Sequence, residues 1–110
     1  MSSAPTIEPK LYALQYEYVA DSLEKRKTYR PAHLALITQQ VEKGNLILAG
    51  GLNFPPTGGL LIFRNLSSND IEQFVKQDPF FINGLVAKYS ITPYLAVTGD
   101  ALLKDDLIKI

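Results

Sequence analysis

The 110-residue chain has no cysteine and a single histidine, and lysine plus arginine equals aspartate plus glutamate at eleven each. Without cysteine there are no disulfides, no thiolate nucleophile and no cysteine-ligated metal. One histidine rules out a zinc site built on several imidazoles within one chain, so no metal is expected. A net charge of zero leaves no electrostatic footprint for nucleic acid or an anionic membrane, and does little to keep copies of the chain apart. No apolar run approaches the ~20 residues that span a bilayer. The start, Met1-Ser2-Ser3-Ala4-Pro5, lacks the basic and apolar regions of a secretory signal. Cytoplasm is the expected location. What is present is ordinary for one globular domain: 46% hydrophobic and 20% charged residues.

The scarce histidine directs attention to Tyr29-Arg30-Pro31-Ala32-His33-Leu34. Histidine is the side chain best suited to exchange a proton near neutral pH, so an acid-base site in this chain would centre on His33.

Residues 1–9 read as a flexible arm. From Lys10 to Val19, Tyr12, Leu14, Tyr16 and Tyr18 share one face at period two, which predicts a first strand. Asp21 or Ser22 opens a helix. Pro31 divides this helical stretch into a short helix or turn to Tyr29 and a main helix from Pro31 to Lys43, stopped by Gly44-Asn45. On the main helix Leu34, Ile37, Thr38 and Val41 form an apolar stripe, with His33 on its flank.

Leu46 to Leu52 reads as a second strand, with Gly50-Gly51 marking a bulge or a close approach to the backbone. Pro55 to Gly59 is a turn, and Leu60 to Phe63 a central strand. Ser67 to Asp70 starts a second helix that presents Ile71, Phe74 and Val75 inward. Asp78 falls on that same inward face, and Pro79 ends the helix there. Lys88 to Tyr94 is a fourth strand. The extension 95–110 reads as a short helix or a strand-like arm, with Asp105-Asp106 as solvated charge.

The order β-α-β-β-α-β predicts an α+β, ferredoxin-like sandwich: a four-stranded antiparallel sheet with two helices on one face. The two central strands run oppositely, and so do the helices, which brings the start of the first helix beside the end of the second. His33 and Asp78 should therefore meet. An aspartate accepting the Nδ1 proton fixes the tautomer and leaves Nε2 free as a general acid or base. The plainer alternative is that the pair only ties two helices together. Arg30 reads as a surface charge paired with Glu17 or Glu24, or as an anion clamp at the cleft mouth. Tyr16 is placed to offer its hydroxyl to a ligand, while Gly50 and Gly51 form no phosphate cradle, since no helix starts after them.

Asp21-Ser22-Leu23-Glu24-Lys25-Arg26, Arg30-Pro31-Ala32-His33-Leu34, Gly44 with Ala49-Gly50-Gly51, and Asp78-Pro79-Phe80 with Gly84-Leu85 form an ordered set spanning residues 10–94. In that set the chain resembles the YciI-like (YCII-related domain) family. The resemblance implies a domain over 10–94 that pairs through its sheets into a homodimeric α-β barrel. It also implies a pocket holding His33 and Asp78 as catalytic residues, bordered by Arg30, Tyr16, Gly50, Gly51, Pro79 and Phe80. It implies a small enzyme without a cofactor, one branch of the family acting on chlorinated aromatic rings. Elimination, isomerisation or hydrolysis of a small organic substrate fits such a pocket, as does non-catalytic ligand binding. The Asn53–Gly59 loop is shorter than in relatives and the tail after Tyr94 longer, which leaves substrate class open.

Overall fold

The computed structural model describes residues 9–108, and the arm expected over 1–9 lies almost wholly outside them. Strand β1 (Leu11–Tyr18) is followed by helix α1 (Ser22–Glu42), strands β2 (Leu46–Leu52) and β3 (Gly58–Arg64), and helix α2 (Ser68–Gln77). A short helix α3 (Pro79–Ile82) and strand β4 (Val86–Tyr94) complete the domain. The sheet order is β2-β3-β1-β4 with every neighbouring pair antiparallel. Both long helices pack on one face, giving the ferredoxin-like α+β fold.

Period two in β1 decides the core. Leu14 and Tyr16 face the helices and pack with Leu61 and Phe63 of β3 and with Ile71, Phe74 and Val75 of α2; Tyr12 and Tyr18 flank them. Burying each large apolar side chain contributes about 1.5–3 kcal/mol. Ser67 caps α2 reciprocally with Asp70, each side chain accepting from the other's backbone N–H. Those bonds hold the Asp70 carboxyl below its ordinary range. Where β1 and β3 run closest, a Cβ on Gly58 would collide with the Tyr16 carbonyl oxygen, so only glycine fits.

The opposite face carries Leu11, Ile62 and Ala96, joined by Ala13, Ile47, Leu60, Leu102 and Leu107. The extension after Tyr94 thus forms no strand among its described residues and, of the short helix expected, only a single turn. It folds irregularly back over its own sheet, with one 3₁₀ turn at Lys104–Asp106. Its anchor corrects the expectation of solvated charge for Asp106, while Asp105 is exposed as expected. Asp106 is buried, receives two hydrogen bonds from Arg64 (3.1 and 2.8 Å) and one from the Leu103 backbone N–H (2.7 Å).

Pro31 does not divide the first helix, which runs unbroken for 21 residues. Its ring lies on the exposed side, so the missing N–H costs one intrahelical bond without disturbing a packed face. The inward face is also rotated from the expected stripe. Leu34 and Val41 are 39% and 54% exposed, Thr38 is exposed, and the buried residues are Ser22, Arg26 and His33, with Leu36 and Ile37 packed against the core. His33 therefore sits on the inward face, not its flank. The β2 register irregularity falls between Leu46 and Leu48, not at Gly50-Gly51.

Candidate functional site

Asp78 stands at a junction. It ends α2 with extended backbone (φ −71°, ψ 122°) because Pro79 follows, and it also opens α3 as its N-cap. A carboxylate at the end of α2 alone would oppose that helix's dipole. The second helix removes the conflict, since the Phe80 backbone N–H donates to Asp78 Oδ1 (3.0 Å).

The side chain is fully buried and its oxygens are satisfied. His33 Nδ1 lies 2.7 Å from Oδ1, and the Tyr16 hydroxyl donates to Oδ2 at 2.8 Å. Burial, and then the adjacent carboxylate, push the Tyr16 phenol far above its ordinary range, so Tyr16 acts as a donor and keeps its proton. With Oδ1 accepting, Nδ1 carries the hydrogen of that bond. Nε2 has no protein partner among the described residues.

The imidazole ring is stacked on Phe80, with centroids 3.8 Å apart and planes 6° from parallel. Phe80 meets the edge of Tyr18 (5.9 Å, 86°). The Arg26 guanidinium carbon lies 4.4 Å from the Tyr18 ring centroid, within cation–π range. His33, Phe80, Tyr18 and Arg26 thus form a continuous wall. Burial raises the Tyr18 phenol although the Arg26 charge opposes it.

This wall borders a cavity of about 470 Å³ between α1 and the β2–β3 edge of the sheet. Small residues create the space. Ala49 pairs with Leu61 and Gly51 with Gly59 across the β2–β3 ladder, and Leu61 belongs to the helix-side core. On this part of the floor Leu61 is the large side chain, and the Pro56 ring lies against Gly51. A Cβ on Gly59 would lie 3.0 Å from the Tyr18 hydroxyl, so glycine there leaves room for the phenol.

Of the residues singled out from sequence, His33, Arg30, Gly50, Gly51 and Phe80 border the cavity. Gly50 does so through its backbone, because its register partner Leu60 faces the other side of the sheet. Tyr16 and Pro79 do not border it: the Tyr16 hydroxyl is committed to Asp78 from behind, and Pro79 serves to start α3. Arg30 takes neither expected acidic partner. Glu17 pairs with Lys88 and Glu24 with Lys27.

Sequence reasoning missed Arg26 and Tyr18. Arg26, Arg30 and His33 stand at i, i+4 and i+7 and would align on any helix continued through Pro31; that spacing was the available signal. No group of three or more potential metal-ligating side chains occurs among the described residues.

Residues 10–95 match the YCII-related domain family. The chain is 32% identical over 96 residues to Protein YciI of Escherichia coli O6:H1 (strain CFT073) and to Protein YciI of Shigella flexneri. Each alignment covers 79% of this chain and 98% of the relative. The chain belongs to the YCII-related domain family. Among solved structures it is similar to 5-chloro-2-hydroxyhydroquinone dehydrochlorinase from Burkholderia phenoliruptrix AC1100, determined in complex with 2,5-dihydroxybenzoquinone. The TM-score is 0.66 and the identity 26%, covering 76% of this chain and 92% of that one.

Proposed function

We propose that this protein is a small-molecule enzyme in which His33 Nε2 moves a proton on a ring compound held in the α1–sheet cavity, while Asp78 orients the imidazole. The observation that carries this reading is the 2.7 Å contact between Nδ1 and a fully buried Asp78 at the cavity wall. It holds one nitrogen and leaves the other available. A positioned acid-base group of this kind contributes about 10²–10⁴-fold in rate.

In an elimination, Nε2 takes a proton from the substrate. The electron pair left behind forms the new π bond, and the leaving group departs with its own bonding pair. His33 then returns the proton to water. The Asp78 carboxylate stabilises the imidazolium formed midway. The step asks for a proton acceptor, an orienting carboxylate and a cavity that holds the ring, and no cofactor enters it. The similarity to a dehydrochlorinase supports a halogenated hydroquinone as the first substrate to test. The reading extends to a homodimer packed through the part of the sheet face opposite the helices that the tail leaves open, where Leu48 is 51% exposed.

The experiment is chloride release from 5-chloro-2-hydroxyhydroquinone by the native protein and by His33→Ala. The expected result is turnover by the native chain and a loss of about 10²-fold or more in the variant, with an unchanged circular dichroism spectrum. Equal turnover by both chains would overturn the role of His33, and no turnover of this or other ring substrates by the native chain would overturn the enzyme reading.

A further inference from the structure

Phe80 touches both halves of the His33–Asp78 pair. Its backbone N–H donates to Asp78 Oδ1 (3.0 Å), the oxygen that also faces His33 Nδ1. Its side chain is buried, with the ring flush on the imidazole, 3.8 Å between centroids and 6° from parallel. The Leu85 N–H donates to its carbonyl (2.9 Å) and holds the residue in place.

That flush stack stands apart. The other four aromatic ring contacts among the described residues are tilted or perpendicular, at 53–86°, which is what the quadrupoles of neutral rings favour. A centroid distance of 3.8 Å is close to van der Waals contact, so the two rings overlap with little lateral offset. For two neutral rings this is the poorer arrangement, but for a cation over an aromatic face it is the favourable one. The geometry suits an imidazolium better than an imidazole.

We infer that Phe80 is a positioning residue for the proton transfer: its ring fixes the plane of His33 and stabilises the positive charge that the imidazole gains as Nε2 takes a proton. This rests on the proposed enzyme reading, and adds to it a group that acts through His33. The interaction strengthens only as charge develops, so it lowers the barrier without tightening substrate binding. The other groups around His33 are Asp78, with Tyr16 behind it, Tyr18 beyond Phe80, and the cations Arg26, Lys27 and Arg30 at the cavity border. Strands β2 and β3 bring no titratable side chain to that cavity. Asp78 favours the imidazolium and the three cations oppose it, and none of these charges is altered by a change confined to the Phe80 ring.

The test follows the His33 ring by NMR through its pH titration in the native chain, in Phe80→Leu, and in a chain carrying pentafluorophenylalanine at position 80. The fluorinated ring nearly keeps the shape of phenylalanine but reverses the polarity of its face, so it reports on charge where leucine also changes packing. The midpoint is expected to fall by about half a unit or more in Phe80→Leu, and further in the fluorinated chain. On a ring substrate that the native chain turns over, Phe80→Leu is expected to lose about two- to fivefold in kcat with KM unchanged. An unshifted or raised midpoint in the folded fluorinated chain would overturn the inference and leave Phe80 a packing residue. A raised KM with kcat kept in Phe80→Leu would overturn it too. The midpoints need no substrate, so a native chain that shows the expected shifts but turns over nothing would count against the enzyme reading alone.

Discussion

His33 and Asp78 are 45 positions apart in the chain and 2.7 Å apart in space. Asp78 reaches that position because one helix ends and another begins on it. Its carboxylate accepts from His33, Tyr16 and the Phe80 backbone at once. Such a group is held by its surroundings before any ligand arrives, which is the preorganisation that acid-base catalysis requires.

Tyr16 supports Asp78 from the side away from the cavity. Tyr16→Phe leaves Oδ2 without its donor in a fully buried setting, and is expected to lower unfolding stability by about 1–3 kcal/mol. Urea denaturation of the two chains, with slopes compared, measures it. A variant as stable as the native chain would show that the bond adds nothing.

The cavity floor is set by residue size. Ala49→Leu adds a branched side chain beside Leu61 on the helix-facing side of β2. Ligand affinity is expected to fall about tenfold or more as the space is filled, with stability changed little because Ala49 is exposed. Titration with 2,5-dihydroxybenzoquinone, paired with thermal unfolding, separates the two effects.

The tail is fastened by charge. Burial opposes ionisation of Asp106, but the Arg64 hydrogen bonds and the Leu103 N–H outweigh it and hold the carboxyl below its ordinary range. A carboxyl with a lowered folded-state pKa contributes stability that is present above the unfolded value, near 3.9, and is lost as pH falls through the folded value. The native chain should therefore exceed Asp106→Asn by about 1–3 kcal/mol at neutral pH, with the gap closing below about pH 4. Denaturation curves at neutral and acid pH test this; a gap independent of pH would contradict it.

The architecture was readable because its signals are local and periodic. Alternation in β1 and the Ser67–Asp70 cap mark the elements, and their order fixes which helix ends meet. The inward face of α1 was not readable in the same way. Its buried positions are Ser22, Arg26 and His33, polar residues that a search for an apolar stripe passes over. Dividing the helix at Pro31 then hid the alignment of Arg26 with His33. The Asp106 anchor was hidden for another reason: its partner Arg64 lies 42 positions away, and the tail that carries Asp106 has no periodicity to place it.

The most direct test of the His33–Asp78 pair uses the fact that His33 is the sole histidine. Nitrogen NMR of the imidazole, at a pH where the ring is neutral, reports which nitrogen carries the proton. An orienting Asp78 predicts a single tautomer in the native chain, with Nδ1 protonated against the carboxylate and Nε2 bare, and a changed tautomer balance in Asp78→Asn. The same mixture of tautomers in both chains would mean that Asp78 does not orient His33, and the proposed proton transfer would lose its basis.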